Sequence, residues 1–315
     1  MRSGALSLVA ASSRVQAQAS CTAGKIGYLH PGSTSSGSGQ ILRDAWQRLG
    51  YVEGESVLLR FAEGDMGRLP QLAAELIALK VGVLIVAGPQ ALRAATQATK
   101  TLPIVAMDLE TDPVRAGFAA SVARPGGNVT GLFMDQPALA GKWIELLRAA
   151  APGIERVALL WDPGTGRDQL EIAQAAARGK GLDPVVIEFG AATNFDDALR
   201  GLGSRQRTGV VVLSSPNFTF QRGQFGSAAQ KYRLPTIAYL KSDSAGVLMT
   251  YGPNQKLYFP RAVVIADKIL RGEKSGDLPI EGPDHFELAI NLKIAKALGL
   301  TIPQSLLLRA DEVIE

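Results

Sequence analysis

Short apolar runs alternate with longer segments of helical periodicity along the first half of the chain. The short runs are rich in β-branched residues and end at Gly, Pro or polar turns, which is typical of buried strands. They predict strands at Lys25–His30, Val57–Phe61, Val83–Ala87 and Pro103–Asp108. Between them, apolar residues recur at three- and four-residue spacing, as on one face of a helix. Strands that are nearly all apolar, separated by helices, predict a parallel sheet covered on both faces.

The same alternation starts again in the second half of the chain. It predicts strands at Val157–Trp161, Pro184–Phe189, Gly209–Ser214 and Thr236–Leu240, with helices between them. No residue-level repeat relates the two halves, so only the architecture repeats. The 315 residues are too many for one typical domain and suit two lobes. We therefore expect an α/β protein made of two Rossmann-like lobes, each a parallel sheet flanked by helices.

Two segments are expected to connect the lobes. Arg124–Gln136 is rich in Gly, Pro and Asn, and Val247–Tyr251 ends at a Gly-Pro-Asn turn. A helix that starts near Phe259, because Pro260 belongs in a first turn, precedes a last strand at Phe286–Asn291. These connections make three crossings and predict a ligand cleft at the hinge, bordered by the carboxyl ends of the strands. The expected division is 25–133 plus 252–275 for the N-terminal lobe and 134–251 plus 276–315 for the C-terminal lobe.

Composition narrows the function classes. Apolar residues make up 46% of the chain, enough for two packed cores. The net charge of +4 comes from 33 Lys and Arg scattered among 29 Asp and Glu, so nucleic acid is not an expected partner. Cys21 is the only cysteine, and His30 and His285 are the only histidines. These counts leave no internal disulfide and no Cys/His cluster for a metal, and no cofactor is expected.

Residues 1–22 predict either an export signal or a disordered N-terminus. Arg2 precedes the apolar stretch Ala5–Ala11, and Ala17-Gln18-Ala19 has the small-x-small pattern of a signal-peptidase site. Cys21 raises the alternative of a lipid anchor, but the leucine usual three positions before such a cysteine is missing. No later apolar stretch reaches the ~20 residues that span a bilayer. We therefore expect a periplasmic protein that has no anchor at Cys21 and contacts the membrane only through partner proteins.

Polar side chains follow several predicted strands, at the edge where the cleft is expected. The loop at 30–39 leads from a strand into a helix, where free backbone N–H groups and the hydroxyls of Ser33 and Thr34 can hold a carboxylate. A solvated flexible loop is the alternative. Asp108 and Asp112 stand at the end of the fourth strand, where they either bind a solute amine or hydroxyl or serve as caps and turn residues.

Comparable side chains stand at strand ends in the second half. Asp162 lies in Trp-Asp-Pro-Gly, and Ser214 and Asn217 lie in Ser-Ser-Pro-Asn. Tyr239 and Tyr251 end two further apolar runs and can stack on a ring or donate an O–H. Each residue alone is more often structural, and their shared placement at strand ends is what makes them a candidate pocket.

Motifs of covalent or metal-dependent catalysis are missing from the sequence. It contains no G-x-S-x-G, no H-E-x-x-H and no cysteine placed to act with a histidine. The loop at 30–39 also fits neither G-x-G-x-x-G with its downstream acid nor a P-loop with its lysine. Binding without catalysis is therefore favoured, and a Rossmann-type enzyme stays an alternative.

Three long segments resemble the ABC-type substrate-binding protein family, which includes the tryptophan/tyrosine-type binding proteins. They are residues 50–88 (GYVEGESVLL to VLIVAG), 98–132 (ATKTLPIV to GGNVTGL) and 268–314 (KILRGEKS to LLLRADEVI). The phrases ARPGGNVTG and INLKIAKALGLTIP are the most specific. The likeness spans about Lys25 to Ile314, nearly the whole chain.

The resemblance implies a periplasmic-binding fold of type I with three interlobe crossovers and no catalysis. It also implies an ABC permease and its ATPase as partners, and a small organic solute, either an amino acid or an aromatic or carboxylate compound. We expect a monomer. The pocket positions that the resemblance implies are Ser33, Thr34, Gly88, Pro89, Gln90, Asp112, Asp162, Ser214, Asn217, Tyr239 and Tyr251. A sensor for a membrane receptor is the main alternative to import; a repressor-type domain would need a DNA-binding helix-turn-helix where this chain has its export-like segment.

Overall fold

The computed structural model describes residues 24–34, 37–109, 112–134, 136–165, 167–190, 192–203, 207–239, 241, 244 and 246–315. Its strands are β1 (Ile26–His30), β2 (Val57–Phe61), β3 (Val83–Val86), β4 (Ile104–Leu109), β5 (Val129–Phe133), β6 (Arg156–Trp161), β7 (Asp183–Glu188), β8 (Thr208–Val212), β9 (Thr236–Ala238), β10 (Met249–Pro253), β11 (Phe286–Asn291) and β12 (Glu312–Ile314). Its helices are α1 (Gly37–Arg48), α2 (Leu69–Ala78), α3 (Gly88–Ala98), α4 (Gln136–Ala150), α5 (Asp168–Gly179), α6 (Phe195–Gly203), α7 (Pro216–Lys231), α8 (Gln255–Tyr258), α9 (Pro260–Leu270), α10 (Leu292–Leu298) and α11 (Gln304–Leu307).

Five parallel strands form the sheet of the first lobe, in the order β2-β1-β3-β4-β5. Each strand predicted in the first half is present within one residue of its predicted ends. Helices α1 and α9 cover one face, and α2 and α3 cover the other. All four residues of β3 are buried because both faces of the sheet are covered.

Strand β5 lies inside the segment that the sequence predicts as a connection, so that prediction is wrong for Val129–Phe133. The cause is Gly131. Its φ is +133°, and a Cβ at this position would lie 2.1 Å from the carbonyl oxygen of Ala106 on β4. The position therefore requires glycine, which weakens the sequence pattern of a strand. The chain leaves the first lobe directly after β5 and enters α4, a 15-residue helix that the sequence analysis does not predict.

Seven strands form the sheet of the second lobe, in the order β12-β11-β10-β9-β8-β6-β7. This sheet is parallel, as expected, except at one place, where β10 and β11 pair antiparallel. Strand β10 carries the chain out of this lobe, and β11 carries it back in beside the outgoing strand. A chain that leaves and returns at one edge pairs with itself in opposite directions.

The chain thus crosses between the lobes after β5, after β10 and before β11. Residues 275–281 still lie against β5 of the first lobe. Thr130 Oγ1 donates to the carbonyl oxygen of Leu278 (2.8 Å), and the N–H of Phe133 donates to the carbonyl oxygen of Glu281 (2.8 Å). We therefore propose that the third boundary lies after about residue 281 rather than at 275, and the second after β10. Helix α9 begins at Pro260, with Phe259 before it, as predicted.

Apolar residues fill the space on both faces of each sheet. Among the residues that the structure describes, no helix is both long enough and apolar enough to cross a bilayer. The residues expected to form an export signal, 1–22, together with Cys21, lie outside the described part of the chain.

Candidate functional site

Loops at the carboxyl ends of the strands contact each other across the space between the lobes. Arg93, on α3, donates from Nη2 to the carbonyl oxygen of Gly164 in the loop after β6 (3.1 Å). Arg115, in the loop after β4, forms an ion pair with Asp168 at the start of α5. These contacts place the carboxyl edges of the two sheets on one interlobe cleft, as expected for ligand sites in α/β folds.

The turn from β3 into α3 brings a glutamine to the first-lobe side of the cleft. Gly88 has a φ of +77°, in the left-handed region that favours glycine. Pro89 follows in the first turn of α3, where its missing N–H leaves no helical hydrogen bond unmade. Gln90 reaches the opposite lobe, because a Cβ at Gly164 would lie 3.7 Å from its Nε2. Its Oε1 is buried and has no hydrogen-bond partner among the described residues.

The loop after β1 begins with a constrained histidine. His30 Nδ1 accepts a hydrogen bond from the N–H of Gly32 (2.8 Å). Burial lowers the pKa of His30 to about 4, so the ring is neutral at physiological pH. Ser33 is half-buried and Thr34 is exposed. Ser35 and Ser36 lie outside the described residues.

The two aspartates predicted at the end of the fourth strand have different surroundings. Asp108 lies on β4 itself and is half-buried. Burial raises the pKa of its carboxyl to about 7. Asp112 is exposed, and its Oδ1 accepts from the N–H groups of Val114 (3.1 Å) and Arg115 (3.0 Å). Asp112 therefore caps the turn that follows it, which is the structural alternative named above.

Asp162 is a buried polar group on the second-lobe side of the cleft. It is 4% exposed and follows β6. Its Oδ1 accepts from the N–H of Gly164 (2.8 Å), and its Oδ2 accepts from the hydroxyl of Ser215 (2.5 Å). These bonds join the loop after β6 to the loop after β8. They hold a buried carboxylate at the cleft edge with defined geometry.

Gln169, in the first turn of α5, is the second buried polar side chain of this edge. Its Nε2 donates to the hydroxyl of Thr165 (2.5 Å) and to the carbonyl oxygen of Ser214 (3.1 Å). Thr165 in turn donates to the carbonyl oxygen of Asp162 (2.8 Å). Gln169 is 3% exposed, and no described residue donates to its Oε1. Ser214 thus contributes its carbonyl group to the network.

The two predicted tyrosines differ in their access to the cleft. Tyr239 is 1% exposed, its hydroxyl donates to the carbonyl oxygen of Met134 (3.1 Å), and its ring packs edge-on against Trp143. These contacts favour the structural alternative for Tyr239 over stacking on a solute. Tyr251 is half-buried on β10 and stacks on Phe286 across 6.0 Å between ring centroids. Tyr251 therefore remains a candidate for stacking on a solute.

The structure therefore gathers Gly88, Pro89, Gln90, Asp162 and Ser214 around the contact between α3 and the loop after β6. Asn217 lies in the first turn of α7, and its side chain lies outside what the structure describes. Sequence reasoning missed Arg93 and Gln169. Both are polar residues in the first two turns of helices that follow a cleft loop, and that placement is the signal that could have found them.

A metal centre has no support in the described part of the chain, where no three His, Cys, Asp or Glu side chains are grouped to hold an ion. The donor set at the cleft consists of amide, hydroxyl and carboxylate groups already joined to one another. Such a set suits hydrogen bonding to an organic molecule.

Two α/β lobes with three crossings and a cleft between them define the two-lobed class of periplasmic-binding folds. The chain belongs to the ABC transporter substrate binding protein family, whose sequence pattern matches residues 29–314. The resemblance noted from the sequence is thereby confirmed, and so is the two-lobed fold of periplasmic-binding type I.

Three similar proteins illustrate the likeness. The tyrosine-binding protein of Clostridioides difficile (strain R20291) is 26% identical over 281 residues, which cover 86% of this chain and 78% of that protein. An ABC domain from Streptococcus pneumonia in complex with L-Trp superposes with a TM-score of 0.83 at 24% identity, covering 92% of this chain and 100% of the other. The ligand-free, open structure of a substrate binding protein with adhesive properties from Clostridium difficile has a TM-score of 0.65 at 23% identity, covering 92% and 99%.

Proposed function

We propose that this protein is the extracytoplasmic solute-binding component of an ABC importer. It captures a small organic solute between its lobes and presents it to a membrane permease driven by an ATPase. The observation that carries the proposal is the cleft itself: Gln90 from one lobe meets the Asp162–Thr165 turn of the other, with buried polar groups on both sides. Family membership supports the role of the cleft and of the partners.

The contacts between the lobes support hinge closure. The bond from Arg93 to Gly164 and the ion pair from Arg115 to Asp168 can exist only when the lobes are close. At nearly equal sequence identity, the chain superposes better on the L-Trp complex than on the ligand-free, open structure. Both observations support a closed arrangement here. A solute that contacts both lobes would favour it over an open one.

The solute proposed is an amino acid or a related aromatic or carboxylate compound. Two similar proteins are named for tyrosine binding and for a complex with L-Trp. Tyr251 offers a half-buried ring at the hinge for the apolar part of such a molecule. No chemical step is proposed, and the bound molecule leaves the cleft unchanged.

Native mass spectrometry of the purified full chain tests this proposal. We expect a single small molecule to be released on denaturation, and calorimetry with that molecule to give one site per chain. Loss of its uptake in cells that lack the protein would tie binding to import. Conversion of the molecule during incubation, or co-purified nucleotide, would instead support an enzyme. Intact uptake with a lost cellular response would support a sensor.

A further inference from the structure

Two glutamines from different lobes flank a single turn at the cleft. Gln90, on α3, approaches Gly164, where a Cβ would lie 3.7 Å from its Nε2. Gln169, on α5, holds Thr165 through its own Nε2 across 2.5 Å. The turn between them starts at Asp162, whose carboxylate is 4% exposed. Both glutamines therefore lie beside the same buried acidic turn.

Each of these glutamines has a buried amide oxygen that receives no hydrogen bond from the described residues. For Gln169, the orientation of the amide is fixed by its neighbours. Thr165 uses its hydroxyl hydrogen on the carbonyl oxygen of Asp162, and Ser214 offers a carbonyl oxygen, so both partners of Gln169 accept. Turning the amide over would place its oxygen against two acceptors. Its Oε1 is therefore the amide atom that lacks a hydrogen-bond partner among the described residues.

Buried acceptors without donors are rare in folded proteins, because the group has lost its water and gained nothing. A matched pair of them at a ligand cleft has a direct explanation if the ligand brings the donors. Both atoms accept, and the turn that both glutamines approach carries the buried carboxylate of Asp162. This set favours N–H donors that carry positive charge, and it disfavours a carboxylate at the same place.

We propose that Oε1 of Gln90 and Oε1 of Gln169, one from each lobe, accept hydrogen bonds from a solute that carries a protonated amine. This inference rests on the proposed function and narrows it to amine-bearing solutes. Closure then brings the two acceptors to the amine from opposite sides. A solute of the same shape without the amine leaves both oxygens unpaired, which is the situation that binding sites reject most strongly.

The test compares amine-bearing solutes with their deaminated counterparts. The probes are L-amino acids and the matching acids without the amino group, such as L-tryptophan against indole-3-propionate and L-tyrosine against 3-(4-hydroxyphenyl)propionate, together with any co-purified solute. Calorimetry gives the ratio of the two affinities for the wild type, Gln90→Met and Gln169→Met. Gln221→Met is the matched control, since Gln221 is also buried (8% exposed) and donates to a backbone carbonyl, that of Gly190.

We expect the wild type to prefer the amine-bearing member by at least about 100-fold, since the deaminated member leaves two buried acceptors without hydrogen bonds. Each of the two methionine variants should reduce that preference by about 10-fold or more, whereas Gln221→Met should lower only thermal stability. Equal affinity for both members of a pair, or an unchanged ratio in both variants, would overturn the inference while leaving solute binding intact. A co-purified solute without an amine would overturn it too. A protein that binds no solute at all would instead refute the proposed function.

Discussion

The hydroxyl of Tyr258 accepts a hydrogen bond from the backbone N–H of Phe133 across 3.0 Å. It also donates to the carbonyl oxygen of Glu281 at 2.6 Å. Phe133 ends β5 at the first crossing, Tyr258 lies just after the second, and Glu281 lies at the third. One buried hydroxyl therefore ties together all three connections between the lobes. Its burial raises the pKa of Tyr258, so the group stays a neutral phenol and keeps its proton for Glu281.

Replacement of this hydroxyl should loosen the hinge. We expect Tyr258→Phe to lower the free energy of unfolding by about 0.5–1.5 kcal/mol, because the N–H of Phe133 and the carbonyl of Glu281 lose the hydroxyl but keep their bond to each other. Urea unfolding measures that loss, and small-angle scattering measures the spread of lobe orientations, which should widen. Tyr51→Phe is the control, since its hydroxyl bonds Asp267 within the first lobe. An equal widening in the control would show that the crossings are not specifically tied.

The contact from Arg93 to Gly164 should contribute to closure. Burial lowers the pKa of Arg93, yet the side chain remains partly in solvent, so we expect a modest effect. Arg93→Met should weaken solute binding by about 5- to 10-fold and favour the open arrangement in scattering, because only the closed state loses a bond. Arg68→Met is the matched control, since Arg68 donates to the carbonyl oxygen of Ala62 inside one lobe. Equal affinity in Arg93→Met and the wild type would refute a contribution of this contact to closure.

The raised pKa of Asp108, about 7, predicts a particular dependence of stability on pH. Between its ordinary value of 3.8 and about 7, the folded protein holds a proton that the unfolded chain has released. Stability is therefore lost as the pH rises through this window, by up to about 1.4 kcal/mol per pH unit. Asp108→Asn should abolish that loss, so the variant gains stability relative to the wild type from pH 4 to 7. Urea titrations at several pH values measure the difference.

His30 predicts the opposite slope in an overlapping window. Its pKa in the folded protein is about 4, against 6.5 in the unfolded chain, so the unfolded chain binds the extra proton between these values. Stability contributed by the neutral ring is present above pH 6.5 and is lost as the pH falls toward 4. His30→Gln should therefore lose stability relative to the wild type as the pH rises from 4 to 6.5. Parallel curves for the variant and the wild type would contradict this assignment.

Substitutions of Tyr239 and Tyr251 should have different effects, the first on stability and the second on solute binding. Tyr239→Phe removes a hydrogen bond to Met134 and should cost about 1 kcal/mol of folding free energy without changing solute affinity. Tyr251→Ala removes a half-buried ring at the hinge and should weaken binding by about 10- to 100-fold. Calorimetry and urea unfolding on both variants check the pair. A strong affinity loss in Tyr239→Phe together with none in Tyr251→Ala would reverse the two roles.

The predictability of the fold varied with the strength of the local signal. Strands such as β3 and β6 were predicted within a residue because their apolar runs are uninterrupted. Strand β5 was missed because Gly131 interrupts its run, and the need for glycine comes from contact with Ala106, which only the folded sheet brings near. The antiparallel pairing of β10 and β11 was missed because chain direction at a sheet edge depends on the route through the other lobe.

The candidate site was predicted better in position than in detail. Strand ends located Asp162 and Ser214, since the carboxyl edge of a parallel sheet follows from the strand pattern. The direction of each side chain did not follow, and Tyr239 turned inward while Tyr251 stayed half-exposed. Gln169 lies seven positions after Asp162, on a helix, and only the packing of α5 against the loop after β8 brings it back to the edge.

Helix α9 has a consequence for the order in which the chain can mature. It packs on β3, β4 and β5, yet it lies far beyond them in sequence, after nearly the whole second lobe. While the polypeptide is being synthesised, that face of the first sheet is covered by α1 alone until the ribosome has passed residue 270. The first lobe therefore cannot be finished before the second begins, and both must await the last seventh of the chain.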